Sequence, residues 1–341
     1  MKVLVTGGTG YIGSHTILEI IETTSWNVIS ADNHLRSSPK TLERIKTIAN
    51  KTIVNYDVDL CDLAKTRNIF SRNPDISGVI HFAALKSVPE SVANPELYYH
   101  NNNKSLENIL ACIKEFNINY FIFSSSCSVY GNISILPVNE KSLLQKAESP
   151  YAHTKQMGEE ILKKFSDENS SIYSIALRYF NPVGAHISGL TGESPIGKPD
   201  NVVPAITQTA IGILPQFNVF GNNYNTRDGS CIRDYIHVTD IANAHVLALN
   251  YLINGKAKKN YDVINLGSGT GVTVLEAIKA FEKISGIQLN YKIAPRRSGD
   301  VEAIFSDSSK ALKLLGWKPK YSIDDMMRTA WKWQQNKMKE N

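Results

Sequence analysis

The chain has 341 residues, of which 42% are apolar, and its formal net charge is +5. This length can supply two lobes and a sizeable core, and the dispersed charges argue against a nucleic-acid partner. The four cysteines have no metal-ligand spacing, so we expect no metal. The first predicted strand begins at Lys2, which leaves no room for a signal peptide, and no apolar run approaches the roughly 18 residues of a membrane span. We therefore expect a cytoplasmic protein without a membrane contact.

A short apolar strand, a glycine-rich turn and a helical pattern follow one another at the start. Residues 2–6 predict a buried strand, and helical periodicity runs from Ile12 to about Thr24. The turn between them matches G-x-G-x-x-G from Gly8, or G-x-x-G-x-x-G from Gly7. Glycines let the backbone approach a pyrophosphate, whose charge is stabilised by free N–H groups at the helix N-terminus. This order of elements predicts a dinucleotide-binding turn.

An acidic residue, Asp32, ends the next apolar run, residues 28–31. An acid about 20 residues after such a turn accepts hydrogen bonds from an adenosine ribose. Because its charge would repel a 2′-phosphate, we expect NAD rather than NADP. The nearby Arg36 leaves that choice open. A glycine turn with an unrelated surface aspartate is the alternative interpretation.

Further apolar strands alternate with helical stretches at residues 53–56, 78–82, 120–123 and 172–177. This alternation is typical of a Rossmann-type, doubly wound parallel sheet in an α/β protein. Ligands bind beyond the carboxyl ends of the strands in such sheets. We therefore seek the chemistry in the polar segments that follow them, at Asp59, 83–86, 124–126 and 178–181.

The composition changes after residue 181, where proline- and glycine-rich loops become frequent. We predict an NAD-binding Rossmann domain over 1–180 and a smaller α/β substrate-binding domain over 181–341. A strand pattern at 261–266 suggests that a segment near 234–264 rejoins the first domain.

Tyr151 and Lys155 stand four residues apart in a helical pattern, which stacks their side chains one turn apart on one face. A cation beside a phenol favours phenolate, so we expect Tyr151 to act as a base nearer neutral pH than a free tyrosine. The same spacing is also common on solvated helix faces. The glycine turn favours the catalytic interpretation.

These motifs together resemble the extended short-chain dehydrogenase/reductase family, and most closely its UDP-glucose 4-epimerases. The resemblance spans nearly the whole chain, and it is carried by residues 6–15, 32–33, 81–86, 123–126, 129–131, 149–155, 178–185, 233–237 and 294–300. It implies a UDP-sugar substrate and a homodimer. The candidate interface helices are 95–116 and 151–165, although the apolar residues of the first are equally consistent with ordinary core.

The implied activity is NAD-dependent interconversion of UDP-glucose and UDP-galactose at C4 through a transient 4-keto sugar. By the resemblance, Tyr151 takes the proton from the sugar 4-hydroxyl. Lys155 holds the nicotinamide ribose and lowers the phenol's pKa. Ser126 hydrogen-bonds the reacting oxygen.

The resemblance also implies the binding residues. NAD lies against Gly7, Gly10, Tyr11, Ile12, Gly13, Asp32, Asn33, Asp59, Leu60, Phe82, Ala83, Lys86, Asn102, Ser124, Tyr151, Lys155 and Tyr179. The UDP-sugar contacts Lys86, Ser126, Tyr151, Asn181, Asn201, Phe220, Arg233, Arg297 and Asp300. The two arginines can neutralise a diphosphate with forked donors. Surface salt bridges to Asp234 and Asp300 are the alternative use for them.

Residues at single positions partly distinguish the different activities of this family. Dehydratases of the family carry an Asp–Glu pair where this chain has Cys127 and Ser128, and neither replacement serves as an acid or base at neutral pH. A bulky residue at the position of Ile304 excludes N-acetylated sugars in the family and a small one admits them. Isoleucine is intermediate, so UDP-N-acetyl sugars stay open as alternative substrates. A non-catalytic NAD-binding regulator is the alternative from another class, and the intact Ser126, Tyr151 and Lys155 argue against it.

Overall fold

The computed structural model describes residues 1–297 and 301–340, and within them the chain forms an α/β fold. The described strands are β1 (Lys2–Thr6), β2 (Asn27–Ala31), β3 (Asn55–Tyr56), β4 (Ile76–His81), β5 (Tyr120–Ser126), β6 (Tyr173–Tyr179), β7 (Asn181–Val183), β8 (Phe217–Phe220), β9 (Ile232–His237), β10 (Tyr261–Leu266), β11 (Gly271–Thr273), β12 (Tyr291–Ala294) and β13 (Ala303–Ile304). The largest sheet of the described part has seven parallel strands in the order β10-β6-β5-β4-β1-β2-β3. The predicted doubly wound sheet is confirmed.

Helices lie on both faces of this sheet and on the smaller sheets. They are α1 (Tyr11–Thr23), α2 (Lys40–Ala49), α3 (Leu63–Ser71), α4 (Val88–Ala93), α5 (Pro95–Glu115), α6 (Pro150–Glu168), α7 (Val202–Ala210), α8 (Val238–Ile253), α9 (Val274–Ser285), α10 (Ser309–Leu315) and α11 (Ile323–Lys339). Apolar side chains of α1, α2, α8 and α10 form a core on one face, and those of α3, α5 and α6 form a core on the other. In the part of the chain that the structure describes, no helix is both long and apolar enough to cross a bilayer.

The apolar face of α5 belongs to the second of these cores. Leu106, Ile109, Leu110 and Ile113 are buried against the sheet, each at most 3% exposed. Of the two interpretations of this face, ordinary core is therefore the one that the structure supports.

Strand β5 runs three residues further than its apolar pattern predicts. Ser124, Ser125 and Ser126 are buried and pair with the last residues of β6, so that Ser126 lies opposite Tyr179. The prediction ended the strand at Phe123, because a run of serines ordinarily marks a loop. Here the backbone N–H and C=O groups of the serines are hydrogen-bonded within the sheet. Polar side chains therefore lie at the carboxyl end of the strand.

Strand β3 is shorter than predicted. The expected strand over 53–56 is reduced to Asn55–Tyr56, which pair with Ser30 and Ala31 of β2. Val54 is 56% exposed, so only part of the apolar run packs into the core.

Smaller sheets lie beyond the carboxyl edge of the large one. One contains β11, β9 and β13 with β7 beside β9, and another pairs β12 with β8. Helices α7, α9 and α11 pack on them around a third core. Strand β10, which comes after much of this region in sequence, lies beside β6 at the edge of the large sheet.

Buried histidines predict that the fold loses stability in mild acid. Burial lowers the pKa of His15 and His81 to about 3, and the pKa of His237 and His245 to about 4. An unfolded histidine titrates near about 6.5, so the stabilisation is present above that pH and is lost as the pH falls towards the folded values. We expect urea unfolding to show roughly 1–2 kcal/mol lost per histidine between pH 7 and pH 5.

Variants with single histidine replacements test whether the buried histidines cause this loss of stability. Replacing buried His245 with Gln should reduce the pH dependence of the free energy of unfolding, and replacing exposed His100 with Gln should leave it unchanged. Equal stability of the native chain at pH 7 and pH 5 would contradict the prediction. Burial also raises the pKa of Asp240 to about 6, which adds a smaller dependence of opposite sign.

Candidate functional site

The glycine turn between β1 and α1 has no room for side chains. Gly7 has a φ of +66°, and a Cβ there would lie 2.8 Å from the backbone nitrogen of Ala83. A Cβ on Gly13 would lie 2.2 Å from the carbonyl oxygen of Gly7. Gly10 is the N-cap of α1, and no side chain in the described part of the chain caps this end. The N–H groups of the first turn, which begins at Tyr11, are therefore available to an anion.

Asp32 organises the loop that follows β2. Its Oδ2 accepts a hydrogen bond from the backbone N–H of Thr9 at 3.1 Å. Its Oδ1 accepts from the N–H of His34 and from the hydroxyl of Ser37, both at 2.9 Å. The neighbouring Asn33 lines the same cleft. A fixed carboxylate thus stands beside the glycine turn, as the ribose-binding interpretation requires.

A cleft of about 630 Å³ opens beyond the carboxyl ends of the strands of the large sheet. This volume is in the usual range for small-molecule sites. The predicted NAD residues that line it are Gly7, Gly10, Tyr11, Ile12, Gly13, Asp32, Asn33, Asp59, Leu60, Phe82, Ala83, Lys86, Tyr151, Lys155 and Tyr179. The predicted substrate residues that line it are Lys86, Tyr151, Asn201 and Arg297.

Asn102 lies behind the cleft wall rather than on it. Its side chain accepts from the N–H of Leu85 at 2.8 Å and donates to the carbonyl of Leu85 at 3.0 Å. It also donates to the hydroxyl of Thr154 at 3.1 Å. The buried amide therefore fixes the segment before Lys86 against α6, and any effect of Asn102 on a ligand acts through that segment.

Helix α6 begins where Tyr151 and Lys155 enter the cleft. Ser149 caps the helix by accepting from the N–H of Ala152 at 3.2 Å. The ammonium of Lys155 lies 6.0 Å from the ring centroid of Tyr151 and donates to the carbonyl of Ser124 at 2.8 Å. Both side chains line the same cleft as the glycine turn.

Ser126 and Ser124 support this pair from β5. The hydroxyl of Ser124 lies 2.7 Å from the hydroxyl of Tyr179. The hydroxyl of Ser126 accepts from the N–H of Ser128 at 3.2 Å, which starts a 3₁₀ turn over Cys127–Tyr130. Both serines thus lie behind the cleft wall.

Burial dominates the electrostatics of the pair. It raises the pKa of Tyr151 well above the ordinary value of about 10, Tyr179 raises it further, and the hydrogen bond from Ser126 opposes the rise. Burial also lowers the pKa of Lys155 to about 8, with Glu159 acting in the opposite direction. The expectation that Lys155 brings the phenol's pKa towards neutrality is therefore not met in this structure, because burial raises that pKa and the ammonium, 6.0 Å from the ring centroid, is not among the groups that lower it.

Strands β9 and β13 place Arg233 and Ile304 in register beside each other. Ile304 is buried, in a cluster against which Cys127 packs. The charge of Arg233 acts on the Cys127 thiol, although burial dominates and raises the pKa of that thiol to about 12. Arg233 and Ile304 therefore lie near the turn that follows Ser126.

Asp234, one of the two proposed surface partners for the arginines, is fully buried. Its carboxylate accepts from the N–H and hydroxyl of Ser268 at 2.7 and 2.5 Å. It also accepts from the N–H of Gly269 at 3.2 Å and from the N–H and hydroxyl of Ser306 at 3.0 and 2.8 Å. Asp234 thus joins loops in the interior and does not lie at the surface, where the alternative interpretation placed it.

The remaining predicted substrate residues lie on the smaller sheets. Asn181 starts β7, and its buried Oδ1 has no hydrogen-bond partner in the described part of the chain. Phe220 ends β8, 38% exposed, with the guanidinium carbon of Arg297 at 5.5 Å from its ring centroid. Asp300 lies outside the described residues.

Glu193 is a cleft residue that the sequence did not reveal. Its carboxylate accepts from the ammonium of Lys86 at 2.8 Å and from the amide of Asn201 at 2.7 Å. Its carbonyl accepts from the indole N–H of Trp333 at 2.8 Å. An acidic residue in a proline- and glycine-rich loop is ordinarily a surface residue, so no local pattern indicated this contact.

A tyrosine and a lysine one helical turn apart line the same cleft as a glycine turn, which is the arrangement that the resemblance to the extended short-chain dehydrogenase/reductase class implies. Among residues 1–297 and 301–340, no group of three or more His, Cys, Asp and Glu side chains is arranged to hold a metal ion.

Comparisons with known proteins agree with this class. A family model described as GDP-mannose 4,6 dehydratase matches residues 4–330. A UDP-glucose 4-epimerase of Bacillus subtilis is 44% identical over 334 residues, which cover 98% of this chain and 97% of that relative. The chain belongs to the UDP-glucose 4-epimerase family.

Solved structures of the family superpose over almost the whole chain. A UDP-glucose-4-epimerase from Stenotrophomonas maltophila, with bound NAD and formylated UDP-arabinopyranose, has 41% sequence identity and a TM-score of 0.96, with 100% of both chains covered. A UDP-glucose 4-epimerase from Bifidobacterium longum, in complex with NAD+ and UDP, has 45% identity and a TM-score of 0.93, with 98% of both chains covered.

Proposed function

We propose that this protein is an NAD-dependent epimerase that interconverts UDP-glucose and UDP-galactose at C4 through a transient 4-keto sugar. The observation that carries the proposal is the placement of Tyr151 and Lys155 in one cleft with the glycine turn and Asp32. A structural role alone does not require a half-buried phenol and a buried ammonium at a dinucleotide site.

The turn and its neighbours fit a dinucleotide. Close approach of the backbone at Gly7 and Gly13 leaves no space for a Cβ, and the uncapped start of α1 offers N–H groups to a pyrophosphate. Asp32 would hold the adenosine ribose, and Lys155 the nicotinamide ribose. When bound, NAD supplies the acceptor and donor of hydride at sugar carbon 4.

Tyr151 moves the proton at the 4-oxygen of the sugar in this proposal. Burial keeps the phenol protonated at neutral pH, which suits return of a proton to the oxygen. In the opposite direction its ionised form needs positive charge close by, and the ammonium of Lys155 is the chain's own source. Ser126, whose side chain acts to lower the pKa of Tyr151, would orient the same oxygen.

The diphosphate and nucleoside would bind on the smaller sheets. Arg233 and Arg297 are the proposed diphosphate ligands, because guanidinium groups match phosphate oxygens with paired donors. The unpartnered Oδ1 of Asn181 is a ready acceptor for a substrate donor. Asn201, Phe220 and the predicted Asp300 complete this proposed site.

Epimerisation is favoured over the dehydration for which the matching family model is described. Elimination of water needs an acid and a base at the positions of Cys127 and Ser128. The pKa of Cys127 is raised to about 12 by burial, so the thiol neither donates nor accepts a proton readily at neutral pH. Ser128 has no ionisable group in that range either.

The organisation of the chain supports further proposals. We propose that the boundary between the NAD-binding domain and the substrate-binding domain lies between residues 180 and 181, and that α8 and β10 belong to the NAD-binding domain. We also propose a cytoplasmic homodimer that acts in galactose metabolism. The outer faces of α5 and α6, rather than the buried face of α5, are the proposed contact.

Ile304 is the proposed gate for N-acetylated sugars. It is buried beside the turn that follows Ser126, so a smaller side chain enlarges the space there. We expect Ile304→Ala, which removes three side-chain carbons, to raise the ratio of UDP-N-acetylgalactosamine to UDP-galactose turnover by at least about tenfold, since even one methylene in a pocket is worth roughly 1–3 kcal/mol. Steady-state kcat/KM on both substrates measures the ratio. An unchanged or lower ratio contradicts a gating role.

The proposed function is tested by conversion of UDP-galactose to UDP-glucose by purified protein without added NAD, beside a run on UDP-N-acetylgalactosamine. Turnover of the first alone supports a glucose/galactose epimerase with retained cofactor. Turnover of both supports a dual-specificity enzyme. Turnover of neither, with NAD supplied, contradicts the proposal and favours the regulator alternative.

A further inference from the structure

An ion pair joins two loops that border the glycine turn. Arg36 follows β2 and Glu90 lies in α4, after β4. Strands β2 and β4 flank β1 on opposite sides in the large sheet. Both side chains line the cleft, so the pair passes over the end of β1, where the glycine turn begins.

Glu90 is held in place by a buried tyrosine. The hydroxyl of Tyr98, which is fully buried, donates to the Oε2 of Glu90 at 2.8 Å. The same hydroxyl accepts from the N–H of Ser87 at 3.0 Å. Glu90 therefore presents its other oxygen to Arg36 from a fixed position, unlike a mobile surface carboxylate.

Arg36 stands four residues after Asp32, on the loop that Asp32 organises. A guanidinium at this loop is the usual partner for the 2′-phosphate of NADP. Its forked donors suit phosphate, and it is always charged. In this structure, however, the guanidinium is engaged by the carboxylate of Glu90.

We propose that Glu90 is a specificity-determining residue for the dinucleotide, and that it favours NAD by withholding Arg36 from a 2′-phosphate. The inference rests on the proposed use of a dinucleotide at this cleft. Two charges then disfavour NADP. Asp32 repels the additional phosphate, and Glu90 both neutralises the cation that would attract it and adds a negative charge to the same cleft.

The test compares the affinities of NAD and NADP for the same protein freed of bound dinucleotide. Isothermal titration calorimetry gives the ratio of the two dissociation constants without any catalytic step. We expect Glu90→Gln to improve NADP binding relative to NAD by about tenfold, the effect of one charge-assisted contact of about 1.4 kcal/mol. NAD should remain the preferred ligand because Asp32 is unchanged.

A second variant separates a released arginine from a general loss of negative charge. In the double variant Glu90→Gln with Arg36→Ala, the gain in relative NADP affinity should disappear, since the proposed phosphate ligand is absent. Glu107, an exposed glutamate on α5, supplies the matched control, and Glu107→Gln should leave the ratio unchanged.

Three results would overturn the inference. An unchanged ratio in Glu90→Gln means that Glu90 does not determine the choice. A gain that persists in the double variant means that Arg36 is not the group released. If the native protein binds neither NAD nor NADP, both the proposed function and the inference are overturned. If the native protein binds NAD and is an active epimerase, but Glu90→Gln leaves the ratio of the two dissociation constants unchanged, only the inference is overturned.

Discussion

Replacing Tyr151 with Phe is expected to lower epimerase turnover by roughly 10²–10⁴-fold, the range that general acid–base catalysis contributes. The substitution keeps the half-buried ring on α6 and removes the hydroxyl that carries the proton. Lys155 stays in place, because its ammonium is held by the carbonyl of Ser124 rather than by the phenol. We therefore expect NAD and UDP to bind as in the native protein.

Turnover of UDP-galactose and the affinities of NAD and UDP should be measured on the same preparation. Tyr261→Phe is the matched control, because Tyr261 starts β10, at the edge of the large sheet opposite the cleft. That variant should keep its turnover. A Tyr151→Phe variant that retained a tenth or more of native turnover would remove Tyr151 from the proton transfer. Loss of NAD binding in this variant would instead indicate a structural role.

The large sheet was predictable because its evidence is local. Residues 2–6, the glycine turn and the helix after it are contiguous, and their hydrophobic periods differ clearly. The polar segments after the strands pointed to the carboxyl edge, where the cleft is found. Strand ends were less predictable. The serines that end β5 resemble a loop until the ladder with β6 is known.

Partners from distant parts of the chain could not be predicted. The alternative interpretation placed Asp234 at the surface beside Arg233, whereas its burial depends on Ser268 and Ser306, which only the folded chain brings to it. Glu193 likewise meets Lys86 across more than a hundred residues of sequence. The pKa of Tyr151 was predicted in the wrong direction for a related reason. Adjacency to a cation is visible in a sequence, and depth of burial is not.

A buried ion pair behind the catalytic helix has the largest expected effect on stability. Glu159 of α6 and Arg178 of β6 are each 6% exposed, and they form two hydrogen bonds of 2.8 and 2.5 Å. The hydroxyl of Ser125 donates to the same carboxylate at 2.5 Å. The guanidinium also lies over the ring of Tyr130, with its carbon 4.9 Å from the centroid. The pair thus joins α6 to the strands that carry the site.

Replacing Glu159 with Ala is expected to lower the free energy of unfolding by about 3–5 kcal/mol, because it leaves Arg178 charged and buried without its partner. Urea unfolding measures this loss. The neighbouring Glu160 is exposed, so Glu160→Ala is the matched control and should cost less than about 0.5 kcal/mol. The double variant Glu159→Leu with Arg178→Met should be more stable than Glu159→Ala, since it removes both charges. A double variant less stable than Glu159→Ala would mean that packing, not the orphaned charge, accounts for the loss.

Removing the carboxylate of Glu159 is also expected to change the pH dependence of turnover. Burial lowers the pKa of Lys155 to about 8, and the charge of Glu159, one helical turn away, raises it against that effect. Without the carboxylate the pKa of Lys155 falls further, so the ammonium is lost at lower pH. The variant to use is Glu159→Gln, because it keeps the side-chain shape and does not depend on whether Glu159→Ala folds. In this variant the alkaline limb of the pH profile of kcat/KM should move to lower pH. A limb that stayed in place or moved to higher pH would show that the ammonium does not control turnover, and Lys155 would then act only by holding its ligand.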